Sequence, residues 1–348
     1  MAPPQIIFGT ATFGFPNSAF QDAEAVSELL RTLRDLGVTR LDAAARYPPN
    51  SPGRAEELIG EATKEEAGSG ASAFLIDTKI MTDVSNDGSG DLAREAIEAS
   101  SAASLQRLQR PEGVNVLHIH RPDPTTPLEE QLQSLHDQVS QGHCKAWGVS
   151  NVPPATLEKM LQLCDQKGWT RPICYQGPYN MVTRGMEEKL LPLLRAHNMK
   201  FNGFQSLAAG FLTGKLVNNE YAGTRFGDDH PYGQRIRQMF GGADLTGAMQ
   251  KFDAEVKAQG LSSTEVAYRW LAYHSALGEG DGIIIGASRL EQVVETVGII
   301  RHGPLPDAVV SLASELWEAV RGTRVYCLCI VINLFSLNNL VLIEEEIS

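Results

Sequence analysis

The sequence predicts an α/β fold, a closed (β/α)8 barrel of eight parallel strands inside a ring of helices. Two observations carry that expectation: short β-branched runs alternate with longer stretches of helical periodicity, and the runs number eight. A third separates the closed form from an open sheet. The segment from Gly9 to Gly14 does not open a helix with GxGxxG spacing, and no GxxxxGK[ST] loop occurs. Eight strand–helix units without either signature point to the TIM-barrel arrangement, in which about 250 residues or more form one domain.

The strands are expected at residues 6–10, 39–43, 74–80, 114–120, 145–150, 173–176, 200–205 and 282–287. After the first, Val26, Leu29, Leu30, Leu33 and Leu36 recur at three- and four-residue spacing, one buried stripe of a helix. After the fifth, a helix begins near Pro153, with proline in the first turn, where the missing N–H is not needed. Leu157, Met160, Leu161 and Cys164 supply its apolar face. From Leu207 to about Gly247 the chain is rich in Gly and charge and reads as an elaborated loop over one mouth of the barrel. A last helix is expected over 307–321. No linker or internal repeat divides residues 1–322, which are expected to be one domain.

A hydrophobic share of 43% and a charged share of 21% in 348 residues are those of an ordinary globular protein with a sizeable core. The net charge of −12 disfavours nucleic acid and anionic membrane as partners but leaves room for an anionic cofactor in a local basic cluster. The first residues show no basic region followed by an apolar core, so no secretory signal is expected. Cys144, Cys164, Cys174, Cys327 and Cys329 lack metal-ligand spacing and read as reduced, buried thiols of a cytoplasmic protein that binds no metal. Residues 323–348 do not fit this picture: from Val325 to Ile343 the chain is almost continuously apolar. Translated non-coding sequence is the favoured reading of this tail. A membrane anchor is a second, although Asn333, Asn338 and Asn339 are costly in hydrocarbon. An extra packed helix is the third.

Working residues of such a barrel gather where the strands end at its C-terminal mouth. Those ends carry Asp42 with Tyr47 five residues on, Lys79, His120, Ser150-Asn151, Gln176, Phe204-Gln205 and Ser288-Arg289. Each alone reads as a cap, a rim residue or a solvated group. Together they form a polar ring on otherwise apolar strands.

The chain resembles the aldo-keto reductase family in seven segments that run in family order over nearly the whole barrel: LDAAARY (41–47), DTKI (77–80), LHIHRPD (117–123), WGVSN (147–151), YQGPYN (175–180), SLAAGFLTGK (206–215) and IIGASRLEQ (284–292). The likeness lies toward the aflatoxin-aldehyde-reductase-like and fungal members, some associated with specialised metabolism. It implies Asp42, Tyr47, Lys79 and His120 as the catalytic four, with His120 preferred to His118 by the family's His-x-Pro. It also implies NADPH as cofactor. Ser150, Asn151 and Gln176 resemble the clamp on the nicotinamide carboxamide. Phe204 stands where an aromatic, usually Tyr, stacks on the ring, and the adjacent Gln205 is expected among the cofactor-binding residues. Leu207, Ala209, Gly210 and Lys215 match the pyrophosphate loop, to which Arg225 adds charge. Ser288, Arg289 and Gln292 match the adenosine end. Ser206 replaces a common Pro, which is expected to loosen the turn beneath the nicotinamide, and Thr296 replaces a common Asn, removing an adenine contact.

The chemistry fits those roles. A phenol of pKa about 10 is a poor acid at neutral pH, and a Lys ammonium beside it favours the phenolate. A carboxylate keeps that Lys charged in a partly dry site, provided the second and third strands are neighbours. The expected activity is reduction of an aldehyde or ketone, with a small-molecule carbonyl substrate whose identity the sequence does not disclose. Two alternatives stay open: a cofactor-binding partner protein like the potassium-channel β subunits, and a product compromised by its tail. Oligomeric state is not legible.

Overall fold

The computed structural model describes residues 3–66, 74–83, 85–228 and 230–323. Of the tail expected over 323–348, only Thr323 is described, at the end of a 3-10 turn, Arg321–Thr323; the rest lies outside the described residues. The eight strands are β1 (Gln5–Gly9), β2 (Arg40–Asp42), β3 (Leu75–Lys79), β4 (Val114–Ile119), β5 (Cys144–Ser150), β6 (Cys174–Pro178), β7 (Lys200–Phe204) and β8 (Gly282–Gly286). All pair in parallel with their sequence neighbours, and β1 pairs with β8 over five positions from Gln5↔Gly282 to Gly9↔Gly286, which closes the barrel. Every expected strand is present, shifted by no more than two residues at either end.

The helices are α1 (Ala23–Asp35), α2 (Arg54–Glu66), α3 (Arg94–Leu108), α4 (Leu128–Ser140), α5 (Pro154–Lys167), α6 (Leu190–Ala196), α7 (Gly233–Phe240), α8 (Ala243–Ala258), α9 (Ser263–Tyr273), α10 (Leu290–Arg301) and α11 (Asp307–Val320). Helix α1 starts where Asp22 accepts the Ala25 N–H at 2.9 Å, and it buries Val26, Leu29, Leu30 and Leu33. Ser262 caps α9 in the same way through the Glu265 N–H. Pro154 occupies the first turn of α5, whose Leu157, Met160, Leu161 and Cys164 are buried. No described helix is long and apolar enough to cross a membrane.

The stretch from Leu207 to about Gly247 corrects the sequence reading. It is not one loop: a 3-10 turn covers Ala208–Thr213, α7 follows, and α8 begins at Ala243. Glycine and charge hid α7, which buries only Ile236 and Phe240 besides Gly233; Phe240 stacks on Phe211 at 5.0 Å. This connection also crosses the mouth. Tyr232 stacks on Phe15, beyond β1, with centroids 6.2 Å apart, and His230 faces the same ring at 5.9 Å.

Candidate active site

Strands β2 and β3 are neighbours, with Asp42 opposite Asp77, so Lys79 emerges one pleat above Asp42 on the same face. The Lys79 ammonium donates to both carboxylate oxygens of Asp42, at 2.8 and 2.9 Å, and to the Ala43 carbonyl at 2.8 Å. Their side chains are 1% and 5% exposed. Burial alone disfavours the ammonium, but Asp42 and Tyr47 outweigh it and hold Lys79 above the ordinary lysine range. The Lys79 nitrogen lies 5.0 Å from the centroid of the Tyr47 ring. Desolvation pushes the Tyr47 phenol up, while Lys79, by charge and by hydrogen bond, pulls it down; the balance is raised.

His120 stands edge-on to Tyr47, with centroids 5.9 Å apart and planes at 86°. Desolvation, then the charges of Lys79, Arg46 and Arg121, drive its imidazole well below the usual histidine range, so the ring is neutral at pH 7. Its Nδ1 has no hydrogen-bond partner among the described residues. The four sequence-predicted residues therefore meet at one place: a cation, a carboxylate, a phenol and a neutral imidazole at one mouth. His118, by contrast, is fully buried as Lys79's partner across β3 and β4. A Cβ on Gly148 would sit 2.7 Å from its Nδ1 and Cε1, so His118 fills the space that this glycine leaves.

The residues matched to the cofactor ring the same mouth. Asn151 donates to the His120 carbonyl at 3.0 Å and to Ser150 Oγ at 3.1 Å, which leaves its buried Oδ1 without a partner among the described residues. That orphan acceptor suits the N–H of a carboxamide, so the residues present fit a nicotinamide. Gln176, opposite Ser150, donates to Asp42 Oδ1 at 2.8 Å and thus also braces the carboxylate. Phe204 and Gln205 are half-buried where β7 ends, and Asn180 donates to the Gln205 carbonyl at 3.0 Å. Asn151, Gln205, Ala208 and Ala209 all have φ between 50° and 60°, as left-handed residues rarely tolerated outside glycine. Gly210 follows at φ 99°, so the turn after β7 has three left-handed residues in a row. Leu207 is half-buried in this turn, and Lys215 and Arg225 are exposed beyond it. After β8, Gln292 accepts from the Ser288 N–H at 2.9 Å and its hydroxyl at 3.2 Å, and Arg289 is exposed at the start of α10.

One detail differs from expectation. Ser206 does not loosen its turn: its buried hydroxyl donates to the Ile284 carbonyl at 3.0 Å and ties β7 to β8. Thr296 hydrogen-bonds Tyr268 within the helical layer. Sequence reasoning also missed two arginines beside the catalytic positions. Arg46 is buried and donates to the Thr82 carbonyl at 3.1 Å. Arg121, also buried, binds Asp91 at 2.9 and 3.0 Å, Asn86 through its side-chain oxygen and its carbonyl, and the Asp83 carbonyl. Each follows or precedes a predicted site residue in the chain, which is the one signal that marked them. The thiols of Cys144 and Cys174 are pushed up to about 12 by burial, and that of Cys164 to about 11. They are inert at neutral pH.

The chain is similar to known proteins along nearly its whole length. The model of the Aldo/keto reductase family matches residues 5–318. Oxidoreductase sirO of Leptosphaeria maculans is 31% identical over 328 residues, 91% of this chain and 95% of its own. Aldo-keto reductase family 7 member A3 of Homo sapiens is 32% identical over 330 residues, 92% and 95% of the two chains. Aflatoxin B1 aldehyde reductase member 2 of Homo sapiens is 30% identical over 329 residues, 91% and 88%.

Proposed function

The chain belongs to the aldo/keto reductase family, a family of oxidoreductases, and from that premise we propose that it reduces an aldehyde or ketone to an alcohol with NADPH. The observation that carries the reading is the buried Lys79–Asp42 pair set against Tyr47 and a neutral His120. A carbonyl gains a proton on oxygen as it is reduced at carbon, and the developing alkoxide is a far stronger base than the ground-state carbonyl. Tyr47 gives that proton from its phenol oxygen. Lys79 stabilises the phenolate left behind, and Asp42, braced by Gln176, keeps Lys79 charged and fixed. His120, uncharged, orients the carbonyl oxygen by hydrogen bond without competing as an acid.

When bound, the nicotinamide supplies the hydride. Ser150, Asn151 and Gln176 hold its carboxamide, and Phe204 with Gln205 flanks the ring. Leu207, Ala209, Gly210, Lys215 and Arg225 take the pyrophosphate through backbone N–H groups and charge. Ser288, Arg289 and Gln292 take the adenosine end, where the Arg289 guanidinium suits a 2′-phosphate. A place in specialised metabolism is part of the same proposal and rests on the sequence resemblance alone. The barrel domain ends at Gly322 on this reading, and a chain stopped there keeps its activity. The deciding experiment mixes the full chain with NADPH and a panel of aldehydes and follows the loss of nicotinamide absorbance. Turnover is expected; tight NADPH binding without turnover of any carbonyl would instead favour the partner-protein reading.

A further inference from the structure

We propose that Asp77, anchored by Arg40, is a positioning residue that acts through Lys79 to tune proton donation by Tyr47. The inference rests on the proposed reduction at Tyr47.

Asp77 is 1% exposed inside the barrel. Arg40 grips its Oδ2 with Nε and Nη2, each at 2.8 Å, and Asn115 donates to its Oδ1 at 2.6 Å. Asp77 is the cross-strand partner of Asp42 and lies two residues before Lys79 in β3; Arg40 lies two before Asp42 in β2. Period-two alternation therefore puts all four side chains on one face. From floor to mouth this face presents Arg40, the Asp77–Asp42 level and Lys79, with the Tyr47 phenol above. Two carboxylates side by side repel, and each has its own cation.

A buried ion pair is weak evidence for stability, because well-packed apolar residues of the same volume often serve as well or better. The position of this pair, one pleat below the catalytic carboxylate, gives it an electrostatic effect instead. Asp77 adds to Asp42 and Tyr47 in holding the Lys79 ammonium charged against burial. Burial raises Asp77 itself, and Arg40 with Asn115 opposes that. The other groups facing the pair are the Cys174 thiol of β6 and the neutral His118 of β4. Tyr47 is faced by Lys79, Asp42 and Arg46, with His120 against its ring.

The sign follows from charge. Reduction needs the protonated phenol, so the rate falls as pH rises through the Tyr47 pKa. In Asp77→Asn the ammonium of Lys79 is still held by Asp42 but is neutralised by one carboxylate fewer, so it favours the phenolate more strongly and moves this alkaline limb to lower pH, on the order of half a pH unit. Arg40→Gln removes a positive charge and moves it upward. The double variant loses both charges and returns close to wild type. The experiment measures kcat against pH for wild type and these three variants, with NADPH affinity by fluorescence and folding by thermal melt. Wild-type turnover and an inactive Tyr47→Phe in the same assay establish the underlying reading separately. Should Asp77→Asn fail to fold, Arg40→Gln carries the test, since its side chain reaches the barrel floor and is 13% exposed. Opposite shifts with unchanged NADPH affinity are expected. Unmoved limbs, shifts of one sign, or loss of folding in both single variants would make the pair purely structural and overturn the proposal.

Discussion

Replacing Lys79 with Met separates what the buried pair does for folding from what it does for chemistry. Lys79 donates to both oxygens of Asp42 and to the Ala43 carbonyl, besides its hydrogen bond with Tyr47, and Lys79, Asp42 and Ala43 are all buried. Met fills similar volume without a charge, leaving the Asp42 carboxylate buried with the neutral Gln176 amide as its remaining side-chain donor among the described residues. Removing one partner of a buried pair costs about 3–5 kcal/mol. At about 2–4 °C per kcal/mol for a domain of this size, the melting temperature falls by about 6–20 °C. The Lys79→Met/Asp42→Leu double variant removes the stranded carboxylate and regains most of that loss. It does not regain all, because Gln176 loses its acceptor at about 1–3 kcal/mol. Turnover stays down by about 10²–10⁴-fold in both variants, since neither can tune Tyr47. Thermal melts and NADPH-consumption assays on the three proteins read both quantities. A Lys79→Met protein that melts within about 1 kcal/mol of wild type, or turns over at its rate, refutes the electrostatic account.

Tyr47→Phe keeps the ring against His120 and deletes only the donor, so reduction falls about 10²–10⁴-fold while NADPH affinity, read by fluorescence, stays within about twofold. Arg289→Ala weakens NADPH by about tenfold and leaves NADH unchanged, because only the 2′-phosphate needs the guanidinium; equal losses for both cofactors would remove the site from this position. Gly148→Ala places a methyl group 2.7 Å from the buried His118 ring and 3.0 Å from the Cys174 carbonyl, and costs about 1–3 kcal/mol in a denaturant melt. An unchanged melt would show that His118 has room to move.

The strands were legible because most are short runs with β-branched residues set between helical stretches, as in β1, β4 and β8, and the site because strand ends are where such barrels expose polar side chains. Asp42, Lys79 and His120 stand out by ending apolar strands. Arg40 and Asp77 carried the same signal, each two residues before a site residue, but a buried pair on adjacent strands becomes visible only once register is known. Gln176 bracing Asp42 joins residues 134 apart in the chain, which no local pattern reports. Arg121 was hidden for a similar reason: its partners Asp83, Asn86 and Asp91 lie on the connection after another strand. Helix α7 was lost to glycine and charge, since only Ile236 and Phe240 show apolar four-residue spacing there.

The pairing of β1 with β8 sets the order in which this chain can be finished. Gln5 to Gly9 leave the ribosome before the other strands, yet their partners, Gly282 to Gly286, are made some 277 residues later. Until then β1 presents one bare edge and the newest strand another, each a row of unpaired N–H and C=O groups open to other chains. Such distant contacts close slowly, because the intervening chain must be ordered before they form. The last weld also joins more than the two strands: Thr12 reaches the Ala287 carbonyl, the Ala19 N–H reaches Ser288, and Arg301 reaches Leu36. A fragment that stops before β8 would keep seven strands and two open seams. Translation that stalls there would expose an aggregation-prone half-product for as long as the pause lasts.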